Sequence, residues 1–135
     1  MSATLIHHGH VNLLRHAAQF GEVIVGLTTD DQIQSCKGYQ PELSYAERKI
    51  ILEAFEMVME VVPTPWLITD ELLEQHRIDL LFHGADNSNS VDPEKLRVLP
   101  RTEGISSTKL RQRAQASLID IQNQKLMLTP GPAGI

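Results

Sequence analysis

"EVIVGLTT", residues 22–29, is the stretch that decides the fold. It is short, apolar and β-branched, and polar residues bound it. It therefore reads as a buried strand rather than a helix. Its neighbours indicate what kind of sheet it joins. On its N-terminal side Val11, Leu13, Leu14, Ala17 and Ala18 recur at helical spacing, which predicts an amphipathic helix over residues 10–20, with Gly21 as the stop. On its C-terminal side "SCKGYQP" (35–41) has loop composition. Ser44 followed by Glu47 is a capping box, which predicts a helix from about Tyr45 with Ile50, Ile51, Ala54, Phe55 and Val58 on one apolar face.

The alternation continues. "MEVVPT" (59–64) predicts a second strand, ended by Pro63 and Pro65, and Thr69 opens a short helix to about Gln75. "IDLLFHG" (78–84) is the clearest strand, followed by a polar loop, "ADNSNSVDPE". "LRVLP" (96–100) predicts a fourth strand, and "SSTKLRQRAQ" (106–115) a helix with a hydroxyl-rich start. Strands alternating with helices predict an α/β domain, a parallel sheet with helices on both faces. The closing "KLMLTPGPAGI" breaks the pattern with two prolines and two glycines, so residues 1–116 are expected to form the domain and 117–135 a tail or linker.

Composition narrows the function. The 135 residues suit one domain with a sizeable core. The net charge of −5 argues against general affinity for nucleic acid, so a bound anion has to be held by a local cluster. One cysteine, Cys36, excludes an intramolecular disulfide and suits a reducing compartment. No apolar run approaches the roughly 18–20 residues of a membrane span. The first residues lack the pattern of a signal peptide, and a cytoplasmic protein is expected.

Ligands of such sheets sit at the carboxyl ends of strands, against helix N-termini. Two stretches fall there. In "LIHHGHVNLL" (5–14), Gly9 permits close backbone approach, and His7 and His10 flank a predicted helix start, where free N–H groups favour an anion. In "RTEGISSTKLR" (101–111), a turn at Gly104 leads to Ser106, Ser107 and Thr108 at a helix start, with Arg101 able to clamp a phosphate. Other readings stay open. The histidines could be a surface cluster or hold zinc, although no fourth ligand stands out, and hydroxyls at helix starts are often only caps.

Together the two stretches resemble the His-x-Gly-His and Arg-Thr-x-Gly-Ile-Ser-Thr-Thr signatures of the cytidylyltransferases, most like those acting on glycerol-3-phosphate and ethanolamine-phosphate. The resemblance runs from about residue 5 to 114 and takes in "IVGLTTDD", "KGYQPELSYAERKIILE", "MEVVP" and "IDLLFHGAD". It implies a Rossmann-like fold and transfer of CMP from CTP to a small phosphorylated acceptor, with release of pyrophosphate and Mg²⁺ on the phosphates. By motif position, His7 and His10 would stabilise charge at the α-phosphoryl group and the leaving pyrophosphate. Arg101, Ser106, Ser107 and Thr108 would hold the β- and γ-phosphates, with Lys37 completing the clamp. Gly9, Asp86, Thr102 and Ile105 would complete the nucleotide site. Arg48 also matches, on a helix where a structural role is open. A homodimer is expected by the same resemblance. The adenylyltransferases share His-x-Gly-His, so ATP is the alternative to CTP, and an inactive nucleotide-binding domain is a further one.

Three departures stand out. The family opens with a strand and a Gly-Thr-Phe-Asp turn, whereas here Met1 to Thr4 stand at the turn. The expected sheet thus lacks a central strand, unless other polypeptide or a partner supplies it. Ala85 stands where an acidic residue is usual, and Tyr39 where bacterial relatives carry lysine. Finally, "MLTPGPAGI" (127–135) resembles the opening of 2-aminoethylphosphonate–pyruvate transaminases, which implies a fused domain and a phosphonate acceptor.

Overall fold

A computed structural model describes residues 1–127 of the chain. The elements run α1 (His8–Ala18), β1 (Val23–Thr28), α2 (Asp30–Lys37), α3 (Tyr45–Glu53), β2 (Val58–Thr64), α4 (Asp70–Gln75), β3 (Leu81–Gly84), β4 (Leu96–Leu99) and α5 (Ser107–Met127). Both ladders are parallel. β1 pairs with β2 and β3 pairs with β4, giving two separate two-stranded sheets. This is the α/β arrangement of parallel strands flanked by helices that the alternation predicts.

The core gathers on β1. Val23, Val25 and Leu27 pack with Leu14 of α1, Leu52 of α3, Val61 of β2 and Ala3. Helix α1 touches both β1 and β3, so it bridges the two sheets.

Several local features differ from the sequence reading, each for a physical reason. Residues 35–37 are helical, not loop. The stretch after β1 forms α2, with Asp30 and Asp31 in its first turn against the positive end of the dipole, and Gly38 (φ 78°) ends it in the left-handed conformation. Lys37 is therefore the last residue of a helix. Helix α3 starts where the capping box predicts, with Ser44 Oγ accepting from the Glu47 amide and Glu47 accepting from the Ser44 amide. Its buried side is only in part the expected one, however. Arg48 and Leu52 point inward, while Ile50 is 69% exposed and Ala54 is also outside. Arg48 turns the helix this way because its acceptors lie inside. Its guanidinium donates to the carbonyls of Ser2, Thr28 and Leu43 and pairs with Asp30 at 2.6 Å. Pro63 lies within β2 rather than ending it. Its position opposite Leu27 is one whose own N–H would point away from β1, so nothing is lost by lacking a donor.

Helix α4 has Thr69 as its N-cap, as read from sequence. Helix α5 continues to Met127, well past residue 115, and buries none of its residues. The "MLTPGPAGI" resemblance lies almost entirely outside the described residues.

Candidate active site

The opening histidines do not act as three equals. His7 is the N-cap of α1 and His10 stands in its first turn, so the helix begins two residues earlier than the apolar spacing indicates. The Gly9 amide donates to His7 Nδ1, and the His7 amide donates to His10 Nδ1, both at 3.1 Å. Each Nδ1 is thus an acceptor, which places the proton of each neutral ring on Nε2. The two rings lie 4.0 Å apart between centroids. Burial, then the charge of neighbouring His8, lowers the pKa of His7. Burial, with smaller contributions from His7 and the N-terminal amine, lowers that of His10 to about 4. At neutral pH the site therefore presents two uncharged imidazoles with Nε2–H left to donate. His8 is exposed and lies outside the cavity they line.

Gly9 has a different role from the one its type suggests. It sits inside the helix, where no turn requires glycine. A Cβ there would stand 2.8 Å from His7 Cε1, so the missing side chain makes room for the His7 ring, whereas Ile105 Cγ2, at 3.5 Å, would be in ordinary contact.

The second motif is fastened to the first. Ser107 Oγ donates to the Leu5 carbonyl at 3.1 Å and accepts from the Leu5 amide at 3.3 Å. Asn12 of α1 donates to Thr102 Oγ1. Ile105 is buried against Gly9. Ser106 Oγ accepts from the Lys109 amide and so caps α5, leaving its own proton for another acceptor. Ser107 uses its proton within the protein. Of the three hydroxyls at the helix start, one is a cap and one a tie, and Thr108 borders the cavity. Arg113 donates to the Gly104 carbonyl and steadies the turn.

One cavity of about 1130 Å³ is lined by all the residues expected from sequence: His7, Gly9, His10, Lys37, Asp86, Arg101, Thr102, Ile105, Ser106, Ser107 and Thr108. Arg101 is two-thirds exposed at its rim, 3.6 Å from Asp86. Lys37 reaches the cavity from the end of α2, with its ammonium over the Trp66 ring. Arg48 is not part of the lining; it is a buried structural residue. Asn12 and Trp66 also line the cavity and were not marked by any sequence pattern. Asn12 lies on the polar side of α1, and a lone tryptophan in a proline-rich loop has no motif around it. Tyr39, at the position of the absent lysine, stacks under Arg111, which is hydrogen-bonded to Glu42. Among the described residues no group of three His, Cys, Asp or Glu side chains could hold a metal ion. The structure thus gives no support to the zinc reading.

Residues 4–113 match the cytidylyltransferase-like family. The chain is 36% identical over 113 residues to the glycerol-3-phosphate cytidylyltransferase of Bacillus subtilis (strain 168), covering 80% of this chain and 88% of that protein. It is 38% identical over 116 residues to the Staphylococcus aureus (strain NCTC 8325 / PS 47) protein of the same name, covering 80% and 86%. It is 36% identical over 118 residues to the ethanolamine-phosphate cytidylyltransferase of Mus musculus, covering 78% of this chain but 29% of that longer protein.

Proposed function

The chain belongs to the cytidylyltransferase-like family, and from that premise we propose that it transfers CMP from CTP to a small acceptor bearing a phosphate or phosphonate. The acceptor oxygen attacks the α-phosphorus, the bond to the β-phosphate oxygen breaks, and pyrophosphate leaves. Such a reaction calls for positioning and for donors aimed at developing negative charge.

The observation that carries this reading is the shared cavity of His7, His10 and the start of α5, with the two motifs bonded to each other through Ser107 and Leu5. Two Nε2–H donors lie on the α1 side, where they suit the α-phosphoryl oxygens. Arg101, Lys37, Thr108 and the Ser106 hydroxyl suit the outer phosphates. Among the described residues, Asp86 is the cavity carboxylate that pairs with Arg101, at 3.6 Å. That donor set fits Mg²⁺ carried in by the triphosphate and bound mainly by phosphate oxygens and water, since Mg²⁺ commonly takes only one or two carboxylates in such sites. Bound there, the ion would neutralise phosphate charge.

The acceptors named by the relatives are glycerol-3-phosphate and ethanolamine-phosphate. 2-Aminoethylphosphonate joins them because of the resemblance in residues 127–135. The test is pyrophosphate release with CTP and with ATP over these three acceptors. Turnover with CTP and one acceptor is expected. Turnover with ATP alone would replace this reading by adenylyl transfer. The separation of the two sheets favours a second reading, a domain that binds nucleotide without turnover; CTP binding with no pyrophosphate from any pair would establish it.

A further inference from the structure

Lys37 reaches the cavity from an exposed part of the chain. Helix α2 buries one side chain, Ile33, and residues 34–38 are exposed. Its last turn closes on a bond from the Gly38 amide to the Gln34 carbonyl at 2.9 Å. The chain then crosses towards α3. The next anchor along it is Leu43, whose carbonyl accepts from Arg48 Nε at 3.1 Å. Among the described residues, the hydrogen bonds of the stretch between these anchors, residues 39–42, all go to one side chain, Arg111 of α5.

Arg111 suits that task because a guanidinium offers several donors in a rigid fork. Its Nε donates to Glu42 Oε1. One terminal nitrogen donates to Glu42 Oε2 at 2.9 Å and to Thr4 Oγ1 at 2.6 Å. The guanidinium also lies 4.9 Å from the centre of the Tyr39 ring. One side chain thus joins three segments: α5, the loop that leaves α2, and the chain leading to His7. On α5 it stands one turn beyond Ser107, which is tied to Leu5, and Thr108, which borders the cavity. Hydrogen bonds from Arg111 hold the Glu42 carboxyl below its ordinary value, so the pair is ionised at neutral pH. Only 27% of the Arg111 side chain and 37% of that of Glu42 are exposed, which shields the pair in part from solvent and salt.

We propose that Arg111 is a positioning residue for phosphate binding: through Glu42 and Tyr39 it holds the loop after α2 to α5, and so keeps the Lys37 ammonium in the cavity that the α5 hydroxyls line. The inference rests on the proposed CMP transfer and deepens it by naming what presents Lys37 to a triphosphate. Arg111 does not bind the triphosphate itself. Its Nε and one terminal nitrogen are taken by Glu42 and Thr4, and the Glu42 carboxylate offsets its charge. Tyr39 lends the loop a ring face rather than a second ammonium. Residues 35–43 therefore bring one cation to the cavity, Lys37, and its placement matters accordingly.

The test compares the 135-residue chain with Arg111→Gln, Glu42→Gln, Lys37→Met and the double variant Lys37→Met with Arg111→Gln. Calorimetric binding of inorganic tripolyphosphate with Mg²⁺ and hydrogen exchange of the loop are the readouts. Glu42→Gln leaves the bond from Arg111 to Thr4 in place, so it loosens the loop alone. Arg111→Gln and Glu42→Gln should each weaken tripolyphosphate binding by about fivefold and speed exchange at the Tyr39, Gln40 and Glu42 amides by about fivefold. Once Lys37 is methionine, Arg111→Gln should cost less than about twofold further. Tighter binding by Glu42→Gln overturns the proposal, because a released Arg111 would then grip phosphate itself. Equal losses with and without Lys37 overturn it as well, since Arg111 would act by another route. So do unchanged exchange in both loop variants and a lack of tripolyphosphate binding by the unaltered chain. Tripolyphosphate carries no base and undergoes no transfer. A chain that meets these expectations yet releases no pyrophosphate from CTP refutes the proposed reaction alone, and one that releases it while the losses are equal refutes the positioning role alone.

Discussion

The most informative atoms of the site are the two Nδ1 nitrogens of His7 and His10, because their bonds to backbone amides settle which nitrogen carries the proton. His10→Ala removes one oriented donor, and kcat should fall by about 100-fold, the usual consequence of losing a preorganised donor to developing charge. Steady-state rates of pyrophosphate release measure it. Burial also makes His10 a stability residue. Its pKa drops from 6.5 to about 4 on folding. Between those values the unfolded chain holds a proton on this ring that the native protein does not. This contribution is thus complete above pH 6.5 and is lost as pH falls towards 4. The urea midpoint should decline from pH 7 to pH 4.5, and less steeply in His10→Asn. Gly9→Ala separates site from scaffold. Alanine favours the helix by up to about 1 kcal/mol, while its Cβ displaces the His7 ring. The displaced ring also gives up its capping bond from the Gly9 amide, which offsets that gain, so Tm should change little while turnover drops by about tenfold.

Local rules explain the elements where the chain satisfies its own helix ends. Ser44 and Glu47 start α3 by bonding each other's backbone amides, and both residues are visible in sequence. Ser44→Ala should lower stability by about 1 kcal/mol, read from the shift in urea midpoint at unchanged slope. Thr69 does the same for α4 with one bond. Helix α2 was missed because no side chain caps it; its signals are two aspartates at the start and a glycine at the end, and the segment's polar composition resembles a loop. The expected apolar face of α3 holds only in part: Phe55 and Val58 pack against the core, while Ile50 and Ala54 are exposed. Periodicity marks Ile50, Ile51 and Ala54 as inward, but a buried arginine reversed the choice.

That arginine belongs to the scale of the whole molecule. Arg48 is fully buried and holds four segments together: the chain entering α1, the end of β1, the start of α2 and the loop before α3. Arg48→Leu leaves three carbonyls without this donor and should cost about 3 kcal/mol, a large part of the stability of a domain this size. Chemical denaturation at neutral pH measures it. The two halves of the site meet through the same kind of long-range bond, Ser107 to Leu5. By itself, the sequence determined the alternation of strands and helices, the parallel class of the sheet, most helix starts and the two motifs that border the cavity. These depend on periodicity, end-capping and short motifs, all of which act within a few residues. Only the tertiary structure decided that Arg48 faces inward and that Ser107 is a tie. Each of these depends on atoms far away in the chain, and spacing along a polypeptide carries no record of what will be packed against it.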